Sequence, residues 1–76
     1  MVRKHSVSIN GHSTSLSLED PFWDEVKKAA QEQNKSVAAL VARIDNERDP
    51  QTNLSSALRL YVLERLKARL PRSVVE

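Results

Sequence analysis

The sequence predicts a mainly α-helical protein with a short β-ribbon at its N-terminus. An alternating stretch of polar and apolar residues surrounds the only glycine, and three later stretches place apolar residues at helical spacing. The 76-residue length predicts a single domain over residues 1–76. A core this small is marginal without disulfides, a metal or a second subunit. Because the chain has no cysteine, association with a second copy is the expected source of additional stability.

The first predicted element is a β-hairpin over residues 5–18. Asn10 and Gly11 favour a two-residue type I′ turn, because both of its positions need a positive φ. That turn pairs Ile9 with His12 and thereby sets which residues of the two strands lie opposite each other along the rest of the hairpin. One face of the hairpin then carries mostly apolar residues. The other carries one lysine and five serines: Lys4, Ser6, Ser8, Ser13, Ser15 and Ser17.

The polar face of this hairpin has two interpretations. It is either an ordinary solvated face of an antiparallel sheet, or a surface that contacts DNA bases, since a β-ribbon fits the major groove and hydroxyl groups both donate and accept hydrogen bonds. A short strand also leaves backbone groups unpaired at its edge. The simplest partner for the strand that follows the turn is the same strand of a second chain.

Two helices are predicted next, over residues 21–33 and 36–45. Asp20 is expected to cap the first helix, with Pro21 in its first turn. Asn34 suits the left-handed conformation that closes many helices, and Ser36 is expected to cap the second helix. Each helix has one apolar stripe directed toward a core.

The third helix is predicted over residues 53–70, after a polar linker over residues 46–52. Asn53 is expected to cap this helix and Pro71 to end it. Its apolar residues cover more than one stripe. The helix therefore either buries two sides within its own chain, or buries one side there and the other against a partner.

The charge distribution bears on the class of partner. Net charge is only +2, but the two ends of the chain are basic and the middle is acidic. A basic end favours an anionic partner such as nucleic acid, although ordinary surface charge has the same composition. Lys35 and Ser36 at the start of the second helix form a candidate phosphate site, or an ordinary capped helix start.

Nothing in the sequence indicates catalysis, a metal or a cofactor. His5 and His12 are not opposed in the hairpin register, and no carboxylate precedes Glu19. The sequence has no glycine-rich phosphate loop and no nucleophile–base spacing. We also find neither a membrane-spanning apolar run nor a signal-peptide core. A non-enzymatic cytoplasmic protein is the resulting expectation.

The region 13–44 resembles the ribbon-helix-helix family of the Arc and MetJ type. The matching motifs are Thr-Ser-Leu-Ser-Leu-Glu, Asp-Pro-Phe-Trp and Asn-Lys-Ser-Val. Two flanking motifs, Ser-Val-Ser-Ile-Asn-Gly-His and Asn-Leu-Ser-Ser-Ala-Leu-Arg-Leu, are similar to a small bacterial subgroup with an N-terminal hairpin strand and a C-terminal helix.

The resemblance implies an intertwined homodimer with an intermolecular antiparallel sheet, acting as a sequence-specific DNA-binding transcription regulator. The implied base contacts are Ser13, Ser15 and Ser17. Candidate phosphate contacts are Arg3, Lys4, Lys35 and Ser36. The candidate dimer core consists of Leu16, Leu18, Phe22, Trp23, Val26, Leu40, Val41 and Ile44.

Two alternatives stay open. The first is an alternative to DNA binding: a dimeric protein-interaction module, antitoxin-like or an adaptor, that binds a partner protein through the helix Leu54–Leu70. A second question concerns the sheet, because pairing of two hairpins gives four strands, and the major groove accommodates two. Either the first strand leaves the sheet, or the polar face contacts something other than a DNA groove.

Overall fold

The computed structural model describes residues 2–70, which form two strands followed by three helices. The elements are β1 Val2–Ile9, β2 His12–Glu19, α1 Asp20–Glu32, α2 Val37–Glu47 and α3 Leu54–Arg69. The mainly helical fold with a short β-ribbon and a third helix is confirmed. Each observed helix differs from its predicted bounds by at most two residues at either end, and the strands extend beyond the predicted hairpin. Pro71 and Arg72 lie outside the described residues.

The hairpin adopts the predicted turn and register. Asn10 and Gly11 have φ values of 51° and 81°, both positive as a type I′ turn requires. Ile9 lies opposite His12, and the antiparallel pairing then continues without a bulge along the whole of both strands. The first strand therefore stays in the sheet along its full length, and the sheet of one chain has two strands, the number that a major groove accommodates.

The predicted cap of α1 is wrong. The N-cap residue is Glu19, which makes no side-chain capping bond, and Asp20 lies inside the first turn beside Pro21. The reason is that β2 leads directly into the helix: Glu19 is still extended and takes the capping position, and Asp20 is already helical, so the helix begins one residue earlier than predicted. The Asp20 carboxylate pairs instead with Arg3, at 3.2 Å from its Nε.

The other helix boundaries follow the predicted chemistry. Asn34 has a φ of 56° just after α1, which is the left-handed conformation expected at a helix end. Ser36 caps α2, because its Oγ accepts a hydrogen bond from the Ala39 N–H at 3.0 Å. Asn53 caps α3 in the same way, with its Oδ1 at 2.8 Å from the Ser56 backbone nitrogen.

The core is completed within one chain. The three helices cover the apolar face of the hairpin, and α3 contributes Leu58 and Val62, which are 0% and 2% exposed. Phe22 and Trp23 are partly buried against this core. The other candidates for a dimer core are buried inside the single chain: Leu16, Leu18, Val26, Leu40, Val41 and Ile44. The additional strand and helix therefore supply the cover that these residues need.

Candidate nucleic-acid interface

The polar face of the hairpin is continuous and exposed. We call it the serine face, and it consists of Lys4, Ser6, Ser8, Ser13, Ser15 and Ser17, all exposed. Its cross-strand pairs are Ser8 with Ser13, Ser6 with Ser15, and Lys4 with Ser17. Because directly opposed side chains lie about 5 Å apart, the five hydroxyl groups form two parallel rows on one surface.

The geometry of these rows matches what a DNA groove offers. Ser13, Ser15 and Ser17 follow one another at every second residue of β2, about 6.8 Å apart along the strand and so twice the spacing of successive bases. A two-stranded ribbon fits a major groove about 12 Å wide, and serine contacts either donors or acceptors on base edges. The structure therefore brings all three predicted base-contact residues onto one exposed row.

The predicted phosphate contacts of β1 are divided between two faces. Lys4 lies on the serine face, opposite Ser17. Arg3 lies opposite Leu18, on the face that carries the core, and its guanidinium pairs with Asp20. Arg3 is thus partly neutralised and directed away from the hydroxyl rows, which leaves Lys4 as the cation of this face.

Lys35 and Ser36 lie together at the start of α2, and both are exposed. The Ser36 hydroxyl already accepts the capping bond, whereas the remaining free N–H groups of the first helical turn stay available to an anion. Within residues 2–70, no side-chain hydrogen bond or ion pair joins either residue to the hairpin. These two candidates form a positive point that is separate from the hydroxyl rows.

The start of α3 contacts the outer edge of β2, which the sequence did not indicate. In an antiparallel pair, alternate residues direct their N–H and C=O groups away from the partner strand. Ser17 is such a residue, and its carbonyl oxygen accepts a hydrogen bond from the Ser55 hydroxyl at 2.6 Å. Arg59 Nε also donates to the Glu19 carboxylate at 2.8 Å. These contacts join residues about 40 positions apart, so no local pattern predicts them.

Two carboxylates of the described chain are held ionised by arginines of α3. The hydrogen bond from Arg59 lowers the pKa of Glu19 below its ordinary value. Hydrogen bonds from Arg69 and then Arg65 likewise lower the pKa of Glu32, whose Oε1 lies 2.6 Å from each guanidinium. The negative charge of Glu19, at the end of the ribbon, is therefore compensated within the chain.

The histidines occupy different environments. His5 stacks on Trp23 with ring centroids 4.0 Å apart and an interplanar angle of 11°, whereas His12 is exposed beside the turn. Among residues 2–70, no group of three or more His, Cys, Asp or Glu side chains lies close enough to hold a metal ion. In the same part of the chain, every helix is too short or too polar to cross a membrane.

Comparisons with known proteins agree with this architecture. A family described as "Ribbon-helix-helix domain" matches residues 2–66. An uncharacterized protein from Bordetella pertussis Tohama I has a similar structure, with a TM-score of 0.75 and 29% sequence identity. The match covers 95% of this chain and 64% of that chain. Comparison with curated proteins gives no significant match. The chain thus belongs to the ribbon-helix-helix domain family.

Proposed function

We propose that the chain is a sequence-specific DNA-binding protein that acts as a homodimeric, cytoplasmic transcription regulator. The observation that carries the proposal is the serine face, an exposed and regular double row of hydroxyl groups on a two-stranded ribbon. Members of this family are typically DNA-binding regulators, which supports the same function for this chain. The proposal includes no catalytic step and no cofactor.

The residues divide into two roles. Ser13, Ser15 and Ser17 would contact base edges, which carry the sequence information. Lys4 would contact phosphate beside the ribbon, and Lys35 with the N-terminus of α2 would contact phosphate farther along the backbone. With so few cations on the ribbon, we expect modest electrostatic affinity and selectivity that depends on the hydroxyl groups.

The test compares the double substitution Ser15→Ala with Ser17→Ala against the unmodified protein. DNA from the region upstream of its own gene is titrated and binding is followed by fluorescence anisotropy at several salt concentrations. Losing two hydrogen bonds of about 1 kcal/mol each lowers specific affinity by roughly tenfold or more. Non-specific affinity should stay the same, because phosphate contacts are retained.

Ser56→Ala is the matched control, since it removes a hydroxyl from α3 and leaves the ribbon intact. Lys4→Ala should instead weaken binding to all sequences and reduce the salt dependence by about one phosphate contact per chain. If the serine double variant binds the selected DNA as tightly as the unmodified protein, the serine face does not contact bases and the proposal fails.

A second candidate function is a protein-interaction module of the antitoxin or adaptor type. It is supported by the leucines that α3 exposes to solvent. Deleting α3 is not a useful test, because Leu58 and Val62 belong to the core and the shortened chain should unfold. Substitution of an exposed leucine by serine is the better test. Loss of binding to a partner protein, with DNA binding retained, would favour this function.

A further inference from the structure

An open cavity of about 290 Å³ lies between the end of α2, the linker that follows it and α3. Its apolar part is formed by Ile44 of α2 and by Ala57, Leu60 and Tyr61 of α3. Leu60 is 54% exposed, so much of this apolar surface is in contact with water and would gain from being covered. The volume is close to the lower limit for sites that bind small molecules. The cavity shares no residue with the serine face or with the start of α2, so it is separate from the proposed DNA contacts.

The charged residues that line the cavity are mostly acidic. They comprise three carboxylates and one guanidinium: Glu47, Arg48, Asp49 and Glu64. The helix α2 also ends at this cavity, and its last turn carries no basic side chain. The carbonyl groups at a helix C-terminus carry partial negative charge. The lining and the helix end together favour a positively charged ligand.

The arginine of this lining is already engaged in other contacts. Arg48 Nε donates to the Asp45 carboxylate at 2.8 Å, and its Nη1 donates to the Thr52 carbonyl oxygen at 2.7 Å. Glu47 is likewise paired, with an arginine of α2 at 3.3 Å. Glu64, by contrast, is exposed and forms no ion pair within residues 2–70. Its carboxylate is therefore the one best placed to pair with an incoming cation.

Tyr61 gives the cavity an aromatic wall. Its hydroxyl accepts a hydrogen bond from Gln33 Nε2 at 2.7 Å, which restrains the ring from the side of α1. Aromatic rings attract organic cations and also pack against the apolar body of such a ligand. A metal ion fits less well. Within the described chain, no three carboxylates or imidazoles lie close enough together to hold one.

We infer that this cavity binds a small organic cation that consists of an ammonium group on a short apolar or aromatic body. The ammonium group pairs with Glu64 near the end of α2, and the body packs on Leu60 and Tyr61. These three residues lie three and four positions apart on α3, which places them on one side of the helix. Both kinds of contact are needed, because an exposed ion pair alone contributes little. The inference does not rest on the proposed function.

The first experiment titrates three probes of similar size into the full-length protein and follows binding by NMR. The probes are 2-phenylethylammonium, the neutral 2-phenylethanol and the anionic phenylacetate. The cation should bind with a Kd of about 1 mM or lower. The neutral probe should bind about fivefold more weakly, and the anion more weakly still, because neither pairs with the carboxylates or the helix end. The side-chain amide signal of Gln33 should shift, since that group contacts Tyr61.

Substitutions at the cavity test the two kinds of contact separately. Glu64→Gln should weaken binding of the cation about fivefold and leave binding of 2-phenylethanol unchanged, because it removes the charge and keeps the shape of the side chain. Leu60→Ala should weaken both probes about threefold, because it removes part of the apolar wall. Both residues are exposed, so the variants should remain folded, which circular dichroism verifies.

Glu25→Gln is the matched control. It makes the same substitution and the same change in net charge, but on α1 and outside the cavity, and it should bind the cation as the unmodified protein does. The inference is overturned if 2-phenylethylammonium shows no saturation below about 10 mM, or if the neutral and anionic probes bind as tightly as the cation. Equal losses in Glu25→Gln and Glu64→Gln would also overturn it, because binding would then follow net charge. All these titrations contain no DNA, so their outcome is independent of the test of the serine face.

Discussion

The hairpin and α3 divide their polar and apolar residues in different ways. In the hairpin, alternation places every serine on one face. The other face carries Val7, Ile9, Leu16 and Leu18. In α3, Leu58 and Val62 enter the core while leucines on a neighbouring side of the same helix remain exposed. The hairpin therefore has one apolar face, and α3 has two.

The difference has an energetic consequence. Exposed hydroxyl groups exchange hydrogen bonds with water at little cost, so the serine face is stable without a ligand. Exposed leucines gain roughly 25 cal/mol for each Å² that becomes covered. The serine face is thus suited to reversible contact with a polar ligand, which the proposed function takes to be DNA, and the second apolar side of α3 to association with another apolar surface.

The largest predicted effect is the difference in stability between removing a buried leucine and removing an exposed leucine of α3. Leu58→Ala removes a fully buried side chain and should lower the free energy of unfolding by about 2–5 kcal/mol. Leu63→Ala should change it by less than about 0.5 kcal/mol at protein concentrations where the chain is monomeric. Urea denaturation followed by circular dichroism measures both. Equal losses would mean that the exposed side of α3 also packs within the chain.

The next prediction concerns the turn of the hairpin. Gly11→Ala should destabilise the protein by about 1–2 kcal/mol, because alanine is strained at the observed φ of 81°. A new Cβ at this position meets no atom within 4 Å, so the loss would come from the backbone alone. Thermal denaturation at fixed concentration tests this. An unchanged midpoint would mean that the turn does not need a left-handed residue.

A smaller effect is expected where the two regions meet. Ser55→Ala removes the hydroxyl that donates to the Ser17 carbonyl and should cost about 0.5–1.5 kcal/mol. Hydrogen exchange of the β2 amides, measured by NMR, should accelerate near Ser17 more than near the turn. Uniform acceleration across the hairpin would indicate global destabilisation and would contradict a local role for Ser55 at this edge.

The smallest predicted effect is a dependence on pH. Arginine hydrogen bonds lower the pKa of Glu32 from 4.5 in the folded state. The stabilisation is therefore present above the unfolded-state pKa and is lost as the pH falls through the lower, folded-state pKa. The melting temperature of Glu32→Gln should lie below that of the unmodified protein at pH 7, and the two should converge in acid. A difference between the two melting temperatures that stays constant from pH 7 into acid would contradict the arginine hydrogen bonds as its cause.

Much of the local structure could be predicted from the sequence. Asn10 and Gly11 define a turn of two residues, and that turn determines the register and therefore which serines share a face. Ser36 and Asn53 cap their helices because a short polar side chain reaches the free N–H groups of the next turn. Asp20 shows the limit of this reasoning, since its position depended on where β2 ended.

Three properties follow from the amino-acid sequence alone: the order of elements, the register of the hairpin and the separation of hydroxyl from apolar residues. These properties depend on neighbours within a few residues, where periodicity and turn chemistry act. Three others become visible only in the folded chain: the core is completed within one chain, Ser55 and Arg59 contact the end of β2, and one side of α3 remains exposed. Those outcomes depend on contacts between residues about 40 positions apart, which local periodicity and turn chemistry do not specify.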